Sequence, residues 1–446
     1  MRFLYVTALA AWLAGTATAA DDTGRAALPL SLKRAVEIAT SPEGNTNIQL
    51  SGEALKQAQS RSAEARAALL PDVEGSFGEQ NRTSNLAALG VQIDIPIPGF
   101  RFPYFVGPFT TMDARVTGTQ TVFDFASIRR FQAAKEGVSA AKSDIGNTAE
   151  QVAAQVARAY VAALKAVADV ETAQANVTLS QAVETQAENQ KKAGTGTGIE
   201  ITRARVQLAN DQQRLLDAQN DQRSTELRLL RAMGLRLDTP IQLTDKLEYV
   251  PVDAVTIEQA KAQAVKDRPD YRAQQEREAT ARLSANAVKL ERLPSVQAFG
   301  DYGSIGTGFA SALPTRTVGV SLRVPVFDGG RRDARREESA SEYRAERVRT
   351  NDLREQIELD VRLALDDLRS AEDQVKVARD GLALSESELT QARRRYDAGV
   401  ANALEVTDAQ TRLERARDNQ TAALYKYNLA RIELAQATGK VRQYVQ

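Results

Sequence analysis

The sequence predicts a mainly α-helical chain with a transmembrane β part, built from one structural unit repeated in tandem. Three observations predict it. Landmark tetrapeptides recur in the same order in both halves, and half of the chain's aromatic residues fall within two segments, 71–128 and 293–327, of period-2 sequence. Apolar seams of helical period flank those segments. Composition agrees: of 446 residues, 43% are hydrophobic but only 5% aromatic, with Ala, Gln, Glu and Arg abundant, as in long helices. There is no His and no Cys, which removes Ser-His-Asp and Cys-His catalysis, the usual zinc sites and disulfides. The sequence calls for no cofactor and no metal. With 58 basic against 58 acidic residues, it offers no bulk attraction to nucleic acid.

The chain opens with Met1-Arg2, an apolar stretch from Phe3 to Ala14, and Ala17-Thr18-Ala19-Ala20 before Asp21-Asp22. A short positive start, an apolar core and an A-x-A site predict a secretory signal peptide over residues 1–20, cleaved after Ala19 or Ala20. The apolar run is shorter than the roughly 20 residues that span a bilayer. No Cys follows the cleavage site, so the usual N-terminal lipid anchor has no attachment point. No later apolar run is long enough for a transmembrane helix, so any membrane entry falls to strands.

Leu70-Pro71-Asp72-Val73 recurs as Leu293-Pro294-Ser295-Val296, and Val122-Phe123-Asp124-Phe125 as Val326-Phe327-Asp328-Gly329. Ala193 to Thr202 aligns without a gap to Ala398 to Thr407, at an offset of 205 residues that holds through Gly234 and Gly439. The duplication predicts a first repeat at 21–234, a linker at 235–255 holding Pro240 and Pro251, and a second repeat at 256–446.

Strands are expected within 71–124 and 294–327. Met112, Ala114, Val116 and Gly118 face one way and Asp113, Arg115, Thr117 and Thr119 the other; Val318, Val320, Leu322, Val324 and Val326 oppose Thr317, Ser321 and Arg323. Apolar on one side and polar on the other, they fit a water-filled barrel with lipid outside. The other reading is a soluble hairpin with its apolar face on a core, which Gln120 on that face favours.

The remainder reads as helix. Val361, Ala364, Leu368, Ala371, Val375, Ala378, Leu382, Ser385, Leu389, Ala392 and Tyr396 alternate steps of three and four, a coiled-coil seam with one polar interruption. The helix it implies, about 331–397, is roughly 100 Å long, and a counterpart of similar length lies at about 127–193. Return helices at 199–233 and 404–438 complete helical hairpins over 127–233 and 331–438. Shorter helices at about 46–69 and 270–292 lead into the strands. A return and a lead-in helix stacked end to end match one long helix. Four strands per chain are too few to close a transmembrane barrel, which needs about eight or more, so several copies must share one.

The duplicated unit, the Leu-Pro strand starts, Pro325-Val326-Phe327-Asp328-Gly329-Gly330, and Tyr396-Asp397-Ala398-Gly399 with Glu405-Val406 resemble the TolC-type outer-membrane efflux proteins. The resemblance spans essentially the whole mature chain. It implies a homotrimer in which each protomer gives four strands to a twelve-stranded outer-membrane barrel, continued by a long periplasmic helical barrel. It also implies a passive export channel working with a periplasmic adaptor and an inner-membrane pump, without chemistry of its own. By residue-for-residue match, Glu405 and Asp408, with Glu200 as first-repeat counterpart, are the carboxylates that point into the tunnel at its constriction. The hairpin turns at Gly194, Gly196, Gly198, Tyr396 and Gly399 are the expected adaptor contact. The chain departs from the family pattern at Ala401, where an arginine of the closed-state network is expected, and at Ile199, which replaces a polar residue.

Gly194-Thr195-Gly196-Thr197-Gly198 superficially suggests a phosphate loop, but no Gly-Lys-Ser/Thr follows and no strand precedes it; it is read as a turn whose glycines supply positive φ. Arg129-Arg130 and Arg331-Arg332 follow the strands of each repeat and admit two readings: a solvated helix start, or basic side chains near lipid phosphates at the inner rim of the barrel, in which case Phe123 and Phe327 sit in the interfacial aromatic girdle. The rival function is a periplasmic coiled-coil adaptor, for which one hairpin inserted in a split β-domain, not a duplication, is expected.

Overall fold

The computed structural model describes residues 27–90, 98–99, 104–252, 256–401 and 403–445; the expected signal peptide lies outside them. The first repeat carries β1 (Leu28–Leu30), α1 (Leu32–Thr40), α2 (Thr46–Ala67), β2 (Asp72–Asn85), β3 (Phe105–Phe123), α3 (Phe125–Lys192) and α4 (Gly198–Met233). After β4 (Ile241–Leu243), the second carries α5 (Ile257–Asp267), α6 (Pro269–Leu290), β5 (Ser295–Gly306), β6 (Leu313–Arg323), α7 (Arg331–Asp397), α8 (Ala403–Ala437) and α9 (Val441–Val445).

Local chemistry explains the recurring Phe-Asp landmark. Each aspartate satisfies orphan amides that open a long helix, Asp124 directly after β3 and Asp328 three residues before α7. Asp124 Oδ1 accepts the Ala126 N–H at 3.0 Å, and its Oδ2 accepts from Ser127 Oγ at 2.5 Å. Asp328 Oδ2 accepts the Arg332 backbone N–H at 3.1 Å and the Arg332 Nε at 2.7 Å. The second strand is shorter than its apolar run. β6 ends at Arg323, because Pro325 has no N–H to give a ladder, and Val324, Val326 and Phe327 lie exposed beyond it.

The return and lead-in helices stack end to end. α3 packs on α2 and α6 toward the strands and on α4 and α8 toward the hairpin tips, while α7 follows α6 and then α8. At the first joint Gly234 ends α4 at φ +77°, and a Cβ there would lie 2.8 Å from the Gly44 carbonyl oxygen. Asn45, buried ahead of α2, donates to the Ala232 carbonyl at 2.7 Å. The second repeat makes the same joint with different atoms: a Cβ on Gly439 would meet Arg268 Cα at 2.9 Å, and Arg268 Nη1 reaches the Ala437 carbonyl at 3.5 Å.

Around these joints lies the largest core, where Leu30, Ala35, Tyr160, Leu229, Met233 and Val441 are buried together. The buried Tyr160 hydroxyl is 2.8 Å from the Leu30 carbonyl and 2.9 Å from Asp245 Oδ2. Within the expected linker, β4 pairs in parallel with β1 and pins this core.

β2, β3, β5 and β6 form one antiparallel sheet in that order. The β3–β5 seam joins the two repeats in register Val116 to Tyr302 and Gly118 to Gly300. Among the described residues no helix is long and apolar enough to cross a membrane.

Candidate functional site

The sheet has one polar face and one largely apolar face, on which Glu79 and Arg316 are the charged exceptions. Register places Val73, Phe77, Ala114, Val116, Val318 and Val320 on the largely apolar face. These side chains have no core to enter: Val318 is 85% and Val320 71% exposed. So wide an exposed apolar face marks contact with an apolar medium or a partner, and it answers the soluble-hairpin reading, which needs that face covered. Gln120 does not disturb it. Its amide donates to the Leu69 and Thr121 carbonyls at 2.9 and 2.8 Å, at the foot of the sheet where α2 ends.

The opposite face carries an ion triad across the seam between repeats. Arg115 meets Asp301 on β5 at 2.7 Å and Asp113 on its own strand at 2.9 Å. A Cβ on Gly303 would collide with Arg115 Cβ at 2.4 Å, so the glycine makes the room in which the arginine lies. Sequence reading placed Arg115 on the polar face but gave no sign of this partnership, because Asp301 is 186 residues away.

At the strand–helix rim the expected basic residues divide. Arg130 pairs with Glu291, which Arg335 also clasps at 2.7 Å, and Arg332 is held by Asp328 at 2.7 Å. These two are engaged within the chain. Arg129 bonds Gln132 at 2.7 Å from an exposed position, and Arg331 is also exposed. Phe123 packs edge-on against Phe125 with ring centroids 4.3 Å apart, whereas Phe327 stands 88% exposed.

At the far end of the helices, the expectation that all three turn glycines supply positive φ is corrected. Gly194 does, at +77°, and Gly399 matches it in the second repeat at +75°. Gly196 is needed for closeness instead, since a Cβ would approach Gln190 Cβ and Lys191 N at 3.0 Å. Gly198 is the first residue of α4 and nothing crowds it nearer than Lys191 Nζ at 3.8 Å.

The carboxylates at the tips occupy different surroundings. Glu200 reaches back to accept the Thr197 N–H at 2.8 Å, closing the start of α4. Glu405 pairs with Arg395 at 2.9 Å across the α7–α8 hairpin. Asp408, one turn further along α8, is exposed. Ties between the hairpins come from Tyr396, which sequence reading placed in the seam and the turn, and from residues it did not assign to any contact. The Tyr396 hydroxyl bonds Gln190, and Gln186 Nε2 donates to Asp397 at 2.6 Å, joining α7 to α3. Burial first, then the charge of Glu200, pushes the Tyr396 phenol above its ordinary range. These bonds and the Arg395–Glu405 pair tie the tip together among the described residues.

Known proteins share this construction. The chain is 26% identical over 400 residues to the pyoverdine export outer membrane protein OpmQ of Pseudomonas putida, covering 87% of this chain and 80% of that one. Its fold is similar to that of the outer membrane protein VceC from Vibrio cholerae, with TM-score 0.76, 17% identity and coverage of 92% and 96%. It is also similar to the CmeC outer membrane channel of Campylobacter jejuni, with TM-score 0.78, 15% identity and coverage of 92% and 85%. The family description "Outer membrane efflux protein" matches residues 43–235 and 261–440, one block in each repeat. The chain belongs to the outer membrane efflux protein family.

Proposed function

We propose that three copies of this chain assemble into one channel, a twelve-stranded barrel in the outer membrane continued by a helical tunnel in the periplasm. The observation that carries this is the four-stranded sheet itself. Its largely apolar face is bare, its polar face carries the Arg115–Asp301–Asp113 triad, and β2 and β6 stand at its edges with no further strand beside them among the described residues. Unpaired strand edges in lipid cost several kcal/mol per unsatisfied group, so only closure into a barrel satisfies them.

Export then runs from an inner-membrane pump through a periplasmic adaptor into the tunnel, and the channel contributes a path rather than a reaction. The adaptor meets the hairpin turns around Gly194, Gly196, Gly198, Tyr396 and Gly399. A threefold axis turns Glu405 and Asp408, with Glu200 nearby, into rings of carboxylates at the tip. At the rim, the exposed Arg129 and Arg331 face lipid phosphates, with Arg130 and Arg332 anchored behind them and Phe123 and Phe327 at the interface. The test is reconstitution in a planar bilayer. Discrete conductance steps are expected, and purified, assembled protein that leaves the bilayer silent even with its tip carboxylates removed overturns the reading.

A further inference from the structure

Between the two helical hairpins lies a buried charge that conduction does not explain. Where α3, α4 and α8 meet, Ser180, Asp211, Gln410 and Glu414 are each no more than 2% exposed. Glu414 Oε2 accepts from Arg214 Nη1 at 2.8 Å. The Gln207 amide donates to Glu414 Oε1 at 3.3 Å and to the two Asp211 oxygens at 3.2 and 3.3 Å, so a single amide bridges both carboxylates. Ser180 Oγ donates to Asp211 from α3.

The electrostatics are incomplete. Among the described residues Arg214 is the one cation in direct contact; its Nη1 stays 3.9 Å from Asp211, and its side chain is 57% exposed. Two buried carboxylates thus share one half-solvated guanidinium, an arrangement whose desolvation cost is only partly offset. Gln410, one turn before Glu414 on the same face of α8, leaves its Nε2 without a hydrogen-bond partner.

Further along, α8 adds Asp418 and Arg417, the latter donating to Asn176 on α3 at 3.0 Å. α3 adds Lys165 and Asp169, paired at 2.5 Å. From α7, Leu382 and Leu389 pack near this level, and the Glu388–Arg412 pair lies outside it at 3.1 Å. Burial, then the charge of Asp211, holds the Glu414 carboxyl above its ordinary range, while Arg214 pulls it back. Burial raises Asp418 as well.

We propose that Asp211 and Glu414, bridged by Gln207 and Arg214, form a proton-sensitive clasp between the two helical hairpins of one protomer, which tightens as pH falls. The sign follows from the acid: a carboxyl whose pKa is raised on burial binds its proton more readily in the clasped state than in an opened, hydrated one. Protonation therefore favours the clasp, and ionisation as pH rises through the raised pKa brings two like charges together and loosens it. Because the clasp lies within one chain, it stands or falls independently of conduction.

Hydrogen exchange of the full-length protein in detergent, followed over residues 204–214 and 406–418 and corrected for the intrinsic pH dependence of amides, tests it. In the wild type, local opening is expected to rise with pH by up to about tenfold per unit for one linked proton. In Glu414→Gln it stays low and flat. A flat wild type, or a variant that titrates like the wild type, overturns the proposal. Should Glu414→Gln fail to assemble, Asp211→Asn decides: removing the neighbouring charge shifts the response of Glu414 to lower pH, and an unmoved midpoint overturns the clasp.

Discussion

Glu405 and Asp408 are three residues apart on α8 and share a face, and threefold repetition would crowd six carboxylates around one opening. Replacing both with Ala is expected to weaken cation selectivity and the block by divalent cations from the periplasmic side in a planar bilayer. Trimer assembly should persist, since neither residue lies on the apolar seam that ends at Tyr396. Unchanged selectivity and block would return them to ordinary acids favoured by a helix N-terminus. Their position was legible in the sequence because the Tyr-x-x-Gly turn fixes the start of α8. Their partners were not. The Tyr396–Gln190 bond joins residues 206 apart in sequence, and Asp211 and Glu414, which the sequence did not single out, come together only where α4 and α8 meet.

The elements are where sequence pattern and structure agree most closely, since long helices and two-faced strands repeat their signal many times. α7 spans Arg331–Asp397, and the seam residues Val361, Leu368, Val375, Leu389 and Tyr396 are buried along it. The three-residue strands β1 and β4 left no trace, because three residues establish no period. Two substitutions test the sheet. Arg at Val320, on the bare apolar face, should cost about 2–4 kcal/mol per protomer at mid-membrane, read as lost heat-stable assembly, whereas Arg at Ser321 on the polar face should be mild. Equal losses would mean the faces are inverted. At the first helix joint, Asn45→Ala leaves the Ala232 carbonyl buried without its donor. A destabilisation of about 1–3 kcal/mol is expected, measured as a lower unfolding midpoint; no change would show that the joint is held by packing alone.

On the scale of the whole molecule, duplication solves a geometric problem. One repeat supplies two strands and one helical hairpin, and two repeats joined along the β3–β5 seam make a four-stranded sheet with a free strand at each side. The repeats are not identical: β2 and β3 run 14 and 19 residues, against 12 and 11 for β5 and β6, so the first hairpin extends beyond the second. Among the described residues nothing in one chain closes the sheet, which makes the number of copies the central claim. Multi-angle light scattering of the mature protein in mild detergent, with the detergent mass subtracted, measures it directly. Three times the mass of one mature chain is the predicted result, and a stable, folded monomer would contradict the shared barrel.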